Sequence, residues 1–265
     1  MKKYEITEQQ VTEYWNQNSS VWSEQVEKGW DYYREYLNNP AFFNLIGDVK
    51  DKIILDAGCG EGHNTRILAK KGAKVTGVDI SPGMIQKAQE MEREGPLGIA
   101  YEIATFSDLK IFKNCSFDSI VSSMALMDAP HYDLALKEFY RVLKIKGSLL
   151  FSIAHPCFMT KGYSWIRDEN GEESGIVASE YFREKDWIES WKFSKAPIPE
   201  DTIPFNVPCF PRTLSEYVNL LIKNGFMLAR IEEPRPSAEV CEKFPWMKKW
   251  HEHAALFMHI HAVKE

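Results

Sequence analysis

The segment Ile53-Ile54-Leu55-Asp56-Ala57-Gly58-Cys59-Gly60-Glu61-Gly62 constrains this chain more than any other. Its apolar start has no polar alternation and reads as a strand covered on both faces. The glycines that follow form a turn whose backbone a ligand can approach closely, and residues 62–71 read as the helix it opens. The next strand, Lys74–Asp79, ends in a carboxylate about twenty residues further on, placed to accept both ribose hydroxyls of a nucleoside. Ser81-Pro82 then starts a helix over 82–93 with a capping residue and a proline at the first helical position.

This alternation continues. Strands are expected near 99–103, 117–122, 147–153, 226–231 and 256–263, and helices over 131–143 and 214–223, the latter ended by Asn224-Gly225. Alternating β and α pieces imply right-handed crossovers and an α/β, doubly wound, mostly parallel sheet. Residues 1–50 read instead as a cap of short helices. Thr7 and Gln10 form a capping box with Ile6 and Val11 as its hydrophobic staple, and further pieces fall near 21–28, 31–37 and 41–46. Residues 51–265 are the main domain. Within it, 155–211 break the rhythm as an insertion after the fifth strand, holding Gly162, Gly171, Gly175 and five prolines (156, 197, 199, 204, 208) among Trp165, Trp187 and Trp191. Its glycines and prolines argue for loops, and its tryptophans for a lid over something apolar.

Charge narrows the partners. A net charge of −6 argues against broad binding to a phosphate backbone. No stretch approaches the roughly 20 apolar residues of a membrane span, and a polar start points to the cytoplasm. Five scattered cysteines without a Cys-x-x-Cys pair suggest neither a disulfide framework nor a zinc knuckle. His251, His253, His259 and His261 read as surface histidines of a strand or helix end rather than as a metal site.

A dinucleotide loop would want its third glycine at position 63, which is His63. The spacing Asp-x-Gly-x-Gly-x-Gly instead resembles motif I of the class I S-adenosylmethionine-dependent methyltransferases, type 11 in particular. Residues Val78 to Met84 resemble their second motif. Phe117-Asp118-Ser119-Ile120-Val121 and Arg141 to Gly147 resemble the motifs at the fourth strand and before the fifth. The family often has Pro-Gly-Gly where this chain reads Ile145-Lys146-Gly147, which implies only a changed turn.

The resemblance implies a Rossmann-like, seven-stranded sheet and S-adenosylmethionine as cofactor, with S-adenosylhomocysteine as product. Gly58, Cys59 and Gly60 would pass beneath the cofactor through their backbones, and Asp56 would hold the loop or the cofactor ammonium. Asp79 would bind the ribose, with Ile80 and Met84 flanking the adenine. An acidic residue common after the third strand is offset here to Asp108, leaving Thr105 and Phe106 as contacts. Ser123 and Met124 would sit near the methionine moiety. Arg34 would grip the cofactor carboxylate or lie on a solvated helix face. Cys59 is a small packing group rather than a nucleophile. His155, directly after the fifth strand, would either take a proton from the methyl acceptor or orient the insertion by hydrogen bonding. A small-molecule acceptor is the expected substrate, with a tRNA-modifying enzyme and a non-catalytic cofactor-binding protein as alternatives.

Overall fold

The computed structural model describes residues 4–193 and 199–265; Pro197 and the rest of 194–198 lie outside them, as do residues 1–3. Seven strands form one sheet: β1 (Ile53–Ala57), β2 (Lys74–Asp79), β3 (Ala100–Ile103), β4 (Phe117–Ser123), β5 (Leu143–Ala154), β10 (Phe226–Glu232) and β11 (Phe257–Lys264). Their order is β10-β11-β5-β4-β1-β2-β3. β1 to β5 are mutually parallel, while β11 runs antiparallel to both β5 and β10.

Successive residues of the central strands feed opposite faces, as the pleat requires. Leu55, Ile120, Leu149 and Phe151 pack with Phe139 of α5 (Tyr132–Val142) and Leu221 of α6 (Leu214–Lys223). Their neighbours Ile54, Val121 and Leu150 pack with Phe42 of α2 (Asn39–Ile46) and Leu68 of α3 (His63–Lys70). Both faces are dry, which is why these strands read as unbroken apolar runs. α4 (Pro82–Glu94) covers the β2–β3 end through Ile85 and Ala88, its start capped by the Ser81 hydroxyl, which accepts from Met84 N–H. The changed turn before the fifth strand is a bulge near Ile145–Gly147, with Lys146 at φ +65°.

The flanking segments are more ordered than expected. The capping box at Thr7 starts one continuous helix, α1 (Glu8–Glu27), where several short pieces were expected, because no glycine or proline interrupts residues 8–27. A π-helical turn over Arg34–Asn38 then runs into α2. The 155–211 segment is not merely loops: β6 (Ser164–Arg167) pairs with β7 (Glu173–Val177), and β8 (Trp187–Trp191) with β9 (Phe205–Cys209), all antiparallel. α1 docks on β9 through the buried side chain of Asn18. Its Nδ2 donates to Asn206 O (2.9 Å) and its Oδ1 accepts from Asn206 N–H (3.2 Å), so the amide pairs with an edge strand as a neighbouring backbone would. Trp22 is the apolar hub, its ring 5.5 Å from Trp15, 6.0 Å from Trp191, 5.5 Å from Phe193 and 5.2 Å from Phe205.

Two short C-terminal helices, α7 (Ala238–Lys243) and α8 (Lys248–Glu252), precede β11. His251 and His253 fall on and after α8, but His259 is not a surface residue. It is fully buried and its Nε2 faces Asn38 Oδ1 at 2.9 Å, because β11 lies inside the sheet between β5 and β10. Among the described residues, no helix is long and apolar enough to cross a membrane, and no three His, Cys, Asp or Glu side chains converge as a metal set.

Candidate active site

The carboxyl ends of β1, β2 and β4 open onto a cavity of about 540 Å³, within the roughly 300–1,000 Å³ usual for small-molecule sites. Its floor is the glycine turn. The N–H groups of Gly58 and Cys59 both donate to Val78 O (2.8 and 3.0 Å), which clamps the turn to β2. At Gly58, φ is +78°, and a Cβ there would lie 2.3 Å from Ala125 Cβ and 3.0 Å from Phe106 Cζ. Gly60 also has positive φ (+55°), but a Cβ there would meet no protein atom. It lines the cavity, so its missing side chain leaves room for a ligand over the backbone. Cys59 turns its thiol away into a cluster with Ile85, Ala88, Ile99 and Tyr101, where burial pushes its pKa well up. It is a packing group and poorly suited to nucleophilic attack.

Asp79 fastens the turn from the other side. Its Oδ2 accepts from Gly60 N–H and its Oδ1 from Ser81 N–H, both at 2.9 Å. Burial raises its pKa to about 6, against the pull of those two donors. Asp56 is buried more deeply and accepts from the Thr65 hydroxyl (2.6 Å); burial, opposed by that bond and reinforced by the charges of Asp79 and Glu61, raises it to about 7. Eight acidic side chains, Asp56, Glu61, Asp79 and Asp128 among them, line the cavity against five lysines and arginines that include Arg34 and Arg212. A cation is the ligand charge that such a lining favours.

Arg34 is not on a solvated face. Its side chain is only 12 % exposed and lines the cavity, with Nη1 donating to Glu61 Oε1 at 3.3 Å and Nε lying 3.6 Å from Asp31 Oδ2. Nη2 is buried without a hydrogen-bond partner. The other oxygen of Glu61 accepts from the Trp22 indole N–H (3.1 Å), so a residue inside the glycine motif joins the floor to α1. At the end of β4, Ser123 Oγ accepts from Asn38 Nδ2 (3.0 Å), continuing the chain from His259. Met124 stands in the left-handed region at φ +55°, held by its N–H donating to Ser152 O (3.0 Å) and Ser152 Oγ (3.1 Å). Such a conformation costs about 1–2 kcal/mol in a residue with a Cβ and is characteristic of sites where a backbone is aimed at a ligand.

The cavity thus gathers Arg34, Asp56, Gly58, Cys59, Gly60, Asp79, Ile80, Met84, Phe106, Ser123 and Met124. It does not include Thr105 or His155. Thr105 is spent on its own turn, its hydroxyl bonding Ser107 Oγ (3.0 Å) and accepting from Asp108 N–H (3.1 Å). Asp108 is exposed and its pKa is lowered by Lys110, so it too points away. His155 is buried with both ring nitrogens engaged. Nδ1 accepts from Cys157 N–H (3.2 Å), which leaves the proton on Nε2 to be donated to Glu233 Oε1 (2.7 Å). Burial lowers its pKa against the pull of Glu233. These two bonds fix the loop that leaves β5. Glu61, Asp128 and Arg212 line the cavity without having been singled out. Only Glu61 had a signal, its place within the motif.

Known proteins resemble this chain over the same region. A family model described as a methyltransferase domain matches residues 55–151. An uncharacterised Haemophilus influenzae protein is 26% identical over 206 residues, 76% of this chain and 77% of that one. The malonyl-[acyl-carrier protein] O-methyltransferase of Hamiltonella defensa is 33% identical over 108 residues, 41% of this chain. The match spans only 40% of that enzyme's length. The crystal structure of an S-adenosylmethionine-dependent methyltransferase from Mesorhizobium loti superimposes with a TM-score of 0.68 at 26% identity, covering 85% of this chain and 96% of that one. With the glycine turn, Asp79 at the end of β2 and the seven-stranded order agreeing, these matches support a class I S-adenosylmethionine-dependent methyltransferase.

Proposed function

We propose that this enzyme transfers the methyl group of S-adenosylmethionine to a small organic acceptor held between the glycine turn and the aromatic wall of α1 and residues 155–211. The observation that carries this reading is continuity. One cavity is lined by Gly58, Gly60 and Asp79 on one side and by Trp15, Trp187, Trp191 and Phe193 on the other.

The residues fit the cofactor. Gly60 leaves an open space over its backbone, and the buried Nη2 of Arg34 lacks a partner that a carboxylate would supply. In this reading Asp79 accepts the ribose hydroxyls while still holding Gly60 and Ser81, and Ile80, Met84 and Phe106 border the base. Ser123 and Met124 face the methionine end, and the acidic lining favours the cation. The bound sulfonium supplies an activated methyl group, so the task left to the protein is alignment and exclusion of water. The wall from 155–211 acts as the lid that does so. Cysteines that are all free fit a cytoplasmic setting.

S-adenosylhomocysteine should raise the melting temperature and NAD should not, and it should suppress proteolysis within residues 160–193. A larger shift with NAD contradicts the reading. The net charge of −6 supports a small acceptor over tRNA; tight, salt-sensitive tRNA retention in filter binding would reverse that preference.

A further inference from the structure

On the reading above, the glycine turn and Arg34 account for the cofactor end of the cavity. They leave Asp128 unexplained. It ends a short 3-10 turn, Leu126–Asp128, directly after β4, and only 7% of it is exposed. It lines the cavity among Trp15, Trp191 and Phe210, on the side of α1 and β9.

Its surroundings do not neutralise it as a structural ion pair would. The cation that acts on it is Arg212, whose guanidinium is committed to the backbone. Nη1 donates to Met127 O (3.0 Å), and Nη2 to Ala129 O and more distantly to Pro130 O (3.5 Å). The same guanidinium lies between the rings of Tyr4, Tyr132, Phe210 and Tyr217, 5.3–5.9 Å from their centres. Arg212 therefore shapes the loop and lends Asp128 a distant field, without a bidentate grip. The Trp15 indole is the neutral donor beside Asp128. A carboxyl group with a single neutral donor, facing an aromatic-walled cavity, lacks the second partner that buried carboxylates usually have.

We propose that Asp128 binds the methyl-accepting group, that this group is an amine arriving as an ammonium ion, and that Asp128 takes its proton. An ammonium is the ligand that restores charge balance to the carboxylate and gains from tryptophan faces. A carboxylate acceptor would be repelled, and a neutral hydroxyl would gain only a hydrogen bond. The proton step balances: R–NH₃⁺ and the carboxylate become R–NH₂ and the carboxylic acid, and the nitrogen lone pair freed is the one that attacks. Burial, opposed by Arg212 and Trp15 and aided by the Asp79 charge, pushes the Asp128 pKa well above the usual carboxylate range, which suits it to hold that proton.

The test uses the full chain saturated with S-adenosylhomocysteine. Calorimetry is run with primary amines from ethylamine to 2-phenylethylamine, alongside 2-phenylethanol and phenylacetate as probes of matching shape. We expect at least tenfold tighter binding of the best amine than of the alcohol, and no response to the carboxylate. Asp128→Asn should remove that preference while changing S-adenosylhomocysteine affinity less than twofold. Equal binding of alcohol or carboxylate, no amine response, or an amine response untouched in Asp128→Asn overturns the proposal. Should the variant not fold, the ranking of the three probes on the wild-type chain decides alone. A wild-type chain that does not bind S-adenosylhomocysteine contradicts the methyl-transfer reading itself, a separate failure.

Discussion

The sheet's carboxyl edge and the aromatic wall opposite it line one cavity, yet the first presents chiefly backbone and the second chiefly side chains. On the sheet side, the turn from Gly58 to Gly62 is fixed by Val78 O and Asp79, and bulk at Gly58 is forbidden by Ala125 and Phe106. On the other side, no single backbone feature sets the shape. Trp22 packs on Trp15, Trp191, Phe193 and Phe205, and the surface between α1 and β9 follows from how those rings interlock. The difference implies that the two sides of the cavity tolerate substitution differently. The first requires a few glycines and one aspartate, the second an entire set of mutually fitted side chains.

The comparison is broken most severely at Gly58. Gly58→Ala adds a Cβ in a left-handed position against Ala125, and should lower stability by about 3 kcal/mol or more and abolish S-adenosylhomocysteine binding. Gly60→Ala meets no protein atom, so it should lose affinity at a stability cost of only about 1 kcal/mol. Denaturant titration with calorimetry separates the two, and equal stability losses would contradict the assignment of Gly60 to the ligand face.

Trp22→Ala comes next. It empties the hub of the side-chain wall and should cost about 2–4 kcal/mol, since the ring is half-buried. Cofactor affinity should fall only several-fold, through the lost hydrogen bond to Glu61. A larger effect on cofactor binding than Asp79→Ala would show that the two walls are not separable.

The pH dependence is a subtler probe. Asp79 must be ionised to accept ribose hydroxyls, and its folded pKa is raised to about 6. Affinity for S-adenosylhomocysteine should therefore rise as pH rises through about 6 and level off above it. Stability is a poorer readout there. A raised carboxyl pKa removes stability as pH rises from the unfolded value of about 4. His259, lowered by burial to about 4, removes stability in the opposite direction, as pH falls from its unfolded value of about 6.5. Affinity unchanged between pH 5 and 8 would argue against Asp79 as the ribose acceptor.

The smallest effect belongs to His155. His155→Ala should cost about 1–3 kcal/mol by leaving the Cys157 N–H without its acceptor, while the exposed Glu233 turns to water, with cofactor affinity unchanged. A loss of affinity would return His155 to the cavity.

These regions were unequally legible in the sequence. The strands of the sheet announced themselves through unbroken apolar runs, and Gly58, Gly60 and Asp79 through spacing alone. The continuity of α1 was readable from the absence of breakers after Thr7. By contrast, β6 to β8 are short, half-exposed strands whose period is weak, and the hairpins rest on distant elements, β9 on α1 and β7 on α8. His259 looked like a surface histidine because the sequence does not say that β11 lies between two strands. Glu61 and Asp128 gave no sign of their partners, Trp22 and Trp15, which are over thirty residues away in the chain.

The most direct measurement is calorimetry of S-adenosylhomocysteine with the wild-type chain and with Asp79→Asn, with NAD as the control ligand. The expected result is one saturable site per chain in the wild type, no heat with NAD, and affinity lower by roughly tenfold or more in the variant, as the loss of a charged acceptor implies. Wild-type affinity in Asp79→Asn, or tighter binding of NAD, would contradict the placement of the nucleoside at the end of β2.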